Sequence, residues 1–263
     1  MNARSMFVDP HVPGPFVNVP CSTFRNLINF VIFKRSPSEW RSGLGALLAS
    51  QRPGPGGPMA ITEWIIRIPV LLFAITIHEY AHGKAALSLG DPTARDAGRL
   101  TLNPLPHIDP LGALALFLFN FGWAKPVPVD TRYFHKPRRD TILMSLSGPL
   151  ANLAAAFVAG LFLRFMMLPY ELYFMTLVYL LLMNTGLGLF NLLPIPPLDG
   201  SHVMENLLPY EAARTYRRVG RYAPLVLMGI LLMDHFANLN ILGRVLGYPI
   251  FYLASLFSGL NLL

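Results

Sequence analysis

The sequence predicts an all-α fold, a polytopic transmembrane helix bundle, and three observations carry that expectation. Hydrophobic residues make up 53% of the chain and charged residues 13%, about half the charged share usual in soluble domains. The mean hydropathy is positive, at +0.46. From residue 61 onward, apolar stretches follow one another closely, several of them near the roughly 20 helical residues that cross a bilayer.

The first stretch runs from about Ile61 to Leu89. Leu111 to Phe121 is apolar but too short to cross, and predicts a re-entrant or hairpin segment near 111–128. Thr141 to Leu168 and Leu172 to Leu193 are each long enough to span. Tyr222 to Phe236 is marginal in length and Val245 to Leu263 follows it, so the last pair reads as a hairpin or a tilted span.

Residues 1–58 differ in composition. They hold the Pro-Gly stretches Val12–Pro15 and Arg52–Pro58, and six basic residues against two acidic ones. Leu27 to Phe33 is apolar but too short to span, and the region lacks a convincing secretory signal. We expect an N-terminal extension, disordered or outside the native core, followed by a core over 59–263. The abrupt change in composition further suggests a translation start at Met59.

Basic residues predict the orientation. Lys125, Arg132, Lys136, Arg138 and Arg139 precede the third stretch, and Arg214, Arg217, Arg218 and Arg221 follow the fourth, whereas the loop carrying Glu171 has no positive charge. The positive-inside rule puts both basic loops in the cytoplasm. Such loops suit topology control and anionic headgroups; no aromatic-and-basic pattern points to nucleic acid.

The most informative residues are His78, Glu79 and His82, at the end of the apolar run Trp64–Ile77. Positions i and i+4 share a helix face, so both imidazoles can reach one metal ion, with Glu79 beside them to take a proton from a metal-bound water. Ionisable groups inside a span are costly and point to function. The only cysteine is Cys21, so any metal is held by nitrogen and oxygen. A catalytic zinc takes three protein ligands and keeps one position open. The best third candidate is Asp199, in Asn191-Leu-Leu-Pro-Ile-Pro-Pro-Leu-Asp-Gly200. Pro194, Pro196 and Pro197 force the backbone to unwind there, and unwound backbone at membrane depth must be buried in protein or line a wet cavity. A His2Asp set could also hold another divalent ion.

His78-Glu79-x-x-His82 together with Asn191, Pro194, Asp199 and Gly200 resembles the site-2 protease family of intramembrane zinc metalloproteases. Leu100–Pro104, Asp109–Gly112, Gly122–Pro128 and Ser147–Asn152 resemble its compact bacterial branch, which lacks PDZ and nucleotide-sensing domains. The resemblance covers about residues 60–230. It implies one Zn2+ per chain held by His78, His82 and Asp199, with Glu79 as general base and later acid. It also implies Asn152 and Asn191 as substrate or oxyanion contacts. The expected substrate is a single-span membrane protein cut in or near its transmembrane segment. The expected location is the bacterial cytoplasmic membrane, with the active site toward the cytoplasm. Lys125 and Pro126 are expected in a segment that pairs with an extended substrate strand. A zinc transporter would show ligands repeated across several helices, and a non-catalytic scaffold would have lost Glu79 or a ligand; neither pattern is present.

Overall fold

The computed structural model describes residues 61–119, 122–166, 170–237, 241–260 and 262. The expectations for residues 1–58, including the start at Met59, lie outside them. The described chain forms α1 (Ile61–Ser88), α2 (Thr93–Asp96), α3 (Pro110–Phe119), α4 (Pro137–Phe165), α5 (Glu171–Asn191), α6 (Asp199–Leu207), α7 (Tyr210–Gly220), α8 (Ala223–Ala237) and α9 (Ile241–Ser258). Among the described residues no strand forms, and one isolated antiparallel bridge joins Ile108 to Ala124. The all-α expectation is borne out.

Among the described residues four helices are long and apolar enough to cross a membrane: Ile65–Ser88, Pro137–Phe165, Leu172–Asn191 and Ile241–Ser258. The shortest, at 18 residues, extends about 27 Å, close to the hydrocarbon thickness. The 15 residues of α8 reach only about 22 Å and do not span. The last span begins four residues before the expected Val245 and ends at Ser258, just before Gly259, whose φ of +72° stops a helix. Arg244 hid its start: the residue is exposed at the end of the span, where an arginine can carry its charge to the interface.

The helix α4 is the hub, packing against α1, α5, α6 and α9. Its small buried residues Ala156, Ala159 and Gly160 let α9 approach, and a Cβ on Gly160 would lie 2.7 Å from the Phe257 carbonyl carbon. Close approach of this kind is how helices associate without a hydrophobic driving force. Leu163, Leu181, Ile250 and Phe251 complete the core there. A second cluster, Ile66, Val70, Met175, Tyr179 and Met183, joins α1 to α5. Arg67 turns into this interface, donating to Tyr179 Oη at 3.3 Å and standing over its ring.

One connection matters for the site. The segment after α3 returns along the chain that precedes it, as the hairpin expectation requires. Ala124 bridges Ile108, Lys125 N–H donates to the His107 carbonyl, and Gly112 packs on the Trp123 backbone too closely for any side chain. Elsewhere, buried Asp234 of α8 accepts the N–H groups of Ile241 and Leu242 and so caps α9, a partner that the sequence did not reveal.

Replacing Gly160 with valine should force α9 off α4 and destabilise the protein by about 1–3 kcal/mol. Thermal unfolding in detergent measures this; a melting curve unchanged from wild type would contradict the packing described.

Candidate metal centre

Three segments meet at one end of the bundle. His78 and His82 project from the last third of α1, one turn apart, with His82 about 9 Å from the helix end. The α5 helix stops at Asn191, the proline turn carries the chain through Leu198, and Asp199 opens α6. The unwinding expected from Pro194, Pro196 and Pro197 is thus what delivers the carboxylate. Gly200 is required beside it, because a Cβ there would collide with the Leu192 and Leu193 carbonyls.

His78 Nε2 lies 3.0 Å from Asp199 Oδ2, His82 Nε2 lies 3.2 Å from the same oxygen, and the two Nε2 atoms are 3.1 Å apart. Both histidines are buried and Asp199 is partly buried. His82 Nδ1 faces the Met144 carbonyl at 2.9 Å, and His78 Nδ1 faces Asn152 Oδ1 at 2.6 Å. An acceptor on each Nδ1 puts the hydrogen there and leaves each Nε2 with a lone pair directed at the carboxylate.

Two lone pairs and an anionic oxygen within about 3 Å repel one another unless a cation sits among them. A tetrahedral zinc with ligands at about 2.0–2.1 Å sets its donor atoms roughly 3.3–3.4 Å apart, near the separations found here. The group could hold such an ion. On the α4 side, Gly148 leaves the room: a Cβ would run into His82 Nε2 and lie 2.8 Å from His78 Cε1.

Glu79 sits between the two histidines in sequence, and its Oε2 accepts the Val127 N–H at 2.9 Å. The loop after α3 therefore fixes the orientation of this carboxylate. Arg99, not singled out from the sequence, steadies the same loop by donating to the carbonyls of Lys125 and Pro126. Buried Asp91 does so from the other end, accepting Asp130 N–H and Thr93 N–H.

The other expected site residues sit as follows. In the Lys125–Pro126 segment the Lys125 N–H donates to the His107 carbonyl and Arg99 donates to both carbonyls. Asn152 was expected against substrate but is fully buried behind His78, with its amide hydrogens given to the Ala74 carbonyl and Asn184 Oδ1. Asn191 is half-buried at the end of α5, its Nδ2 donating to the Leu187 carbonyl. Asn184, bonded to Asn152, was also not singled out from the sequence. It stands two helical turns before Asn191, a polar side chain in the middle of an apolar span, and that was signal enough to flag it.

The sequence profile of Peptidase family M50 matches residues 169–233, which include Asn191 and Asp199. "Putative zinc metalloprotease YwhC" of Bacillus subtilis is 40% identical over 164 residues, covering 58% of this chain and 72% of that protein. The chain belongs to peptidase family M50. "Putative zinc metalloprotease Rip2" of Mycolicibacterium smegmatis is 30% identical over 176 residues, 64% of this chain and 67% of that protein. The Mycobacterium tuberculosis H37Rv protein of the same name is 30% identical over 181 residues, 66% of each chain. No solved structure gives a significant match. This M50 peptidase is a zinc metalloprotease and an integral membrane protein.

Changing Gly148 to alanine should displace the imidazoles and lower bound zinc well below one ion per chain while helix content stays the same. Metal analysis beside circular dichroism reads both; stoichiometric zinc at wild-type affinity would contradict this geometry.

Proposed function

We propose that this metalloprotease hydrolyses a peptide bond in or near the transmembrane segment of a single-span membrane protein. In this reading His78, His82 and Asp199 hold the zinc and Glu79 handles the proton. The observation that carries it is the convergence of the three donors inside a bundle of spanning helices, with Glu79 held next to them by the Val127 N–H.

Bound zinc would supply Lewis acidity, polarising the scissile carbonyl and acidifying the attacking water. Glu79 takes the proton from that water on a carboxylate oxygen and returns it to the departing amine nitrogen. The Val127 N–H holds the carboxylate in one rotamer for both transfers. Asn191, eight residues ahead of Asp199 at the end of α5, contacts the substrate backbone or the developing oxyanion, a role that suits a neutral amide with no charge to desolvate. Asn152 acts from behind His78 instead. A helical substrate hides its carbonyls in hydrogen bonds and must unwind before attack.

The site opens toward the cytoplasm of a bacterial cell in this account. Arg138, at the start of α4, donates to the Leu208 carbonyl, which draws the basic start of α4 beside the α6–α7 junction. Both basic loops therefore lie at the end of the bundle that carries the donors, and the positive-inside rule favours the cytoplasm for that end. The relatives reported above are bacterial.

With a tagged single-span substrate in detergent, Glu79→Gln should retain stoichiometric zinc and lower cleavage by about 10²–10⁴-fold. Asp199→Ala should lose zinc and cleavage together. Wild-type cleavage by Glu79→Gln would rule out the role assigned to this residue.

A further inference from the structure

Asn184, in the middle of the apolar α5, is a fully buried polar side chain that the hydrolytic scheme does not use. Asn184 on α5 and Asn152 on α4 are both wholly buried at the level of the histidines, where an unsatisfied amide would be costly. Both are satisfied, and the direction of every bond between them is fixed. The Ala74 and Leu180 carbonyls can only accept. Asn152 Nδ2 donates to Ala74 O at 2.9 Å, and Asn184 Nδ2 donates to Leu180 O at 2.8 Å. Asn184 must then present Oδ1 to Asn152, taking its second N–H at 2.9 Å. Only the carbonyl oxygen of Asn152 remains, and it faces His78 Nδ1 at 2.6 Å. The hydrogen therefore lies on Nδ1, and the Nε2 lone pair points at Asp199.

We propose that Asn184 is a positioning residue for His78, acting through Asn152 to set the affinity of the site for zinc. This rests on the assignment of His78 as a ligand. Were the Asn152 amide to flip, its oxygen would meet two acceptors, Ala74 O and Asn184 Oδ1, and its NH2 group would confront the imidazole. Without Asn184 one of those two penalties disappears, and both the rotamer of Asn152 and the tautomer of His78 are less firmly held. His82 needs no such support, because a backbone carbonyl, Met144 O, orients it directly. The asymmetry explains why a second asparagine stands behind one histidine only.

The test uses the full chain in detergent, with zinc affinity from chelator competition and the visible spectrum of the cobalt-substituted protein. Asn184→Ala and Asn184→Val should each weaken zinc about tenfold, in the range found for groups behind a metal ligand, and shift the cobalt bands. Asn184→Asp should recover most of the affinity, since a neutral acid can accept from Asn152 and donate to Leu180 O. If Asn184 acts only through Asn152, the pair Asn152→Ala/Asn184→Ala binds zinc no more weakly than Asn152→Ala alone. Helix packing alone would lower the melting temperature of the metal-free protein without moving the cobalt bands. Wild-type zinc affinity in both single variants, or losses that multiply in the double variant, would overturn the proposal. Undiminished zinc affinity in His78→Ala would overturn the ligand assignment beneath it, whatever the Asn184 variants show.

Discussion

Two bare imidazole nitrogens and a carboxylate oxygen within about 3 Å of one another, inside a helix bundle, form an arrangement that a cation must hold together. Much of the local structure serves that requirement. The α1 helix supplies two donors one turn apart. The α5 helix has to stop so that Asp199 can come in from the following turn. The α4 helix has to present glycine at 148, because any side chain there would occupy the space of the imidazoles. Membrane burial raises the stakes, since each polar group that serves the centre needs a partner of its own.

The same constraint explains how the polar groups are layered. The donors are oriented by acceptors, Met144 O and Asn152 Oδ1, and the second of these is itself oriented by Asn184. On the other side Glu79 is held by a loop rather than a helix. That loop is fastened at several points, by Arg99 on its carbonyls, by His107 on Lys125 N–H and by Asp91 on Asp130 N–H. The proton-transfer group thus depends on a segment 48 residues away in the chain.

The parts of the site that were legible in the sequence are those set by local rules. Spacing of i and i+4 brings His78 and His82 together, and prolines break α5 before Asp199. The spans were legible to within about five residues at each end, and Arg244 is what disguised the start of α9. What was not legible is directional. A sequence shows that Asn152 is polar within a span, but not whether its amide faces substrate or the back of His78. It shows an extended Lys125-Pro126 segment, but not that Arg99, 26 residues before Lys125, has already engaged the carbonyls. Asn184 was overlooked although its position, two turns from Asn191 in an apolar helix, marked it.

X-ray absorption at the zinc edge, on the purified full chain, tests the central claim most directly. The account predicts a first shell of nitrogen and oxygen at about 2.0–2.1 Å, with outer-shell scattering from two imidazoles. A sulfur ligand, or scattering from one or three imidazoles, would contradict it.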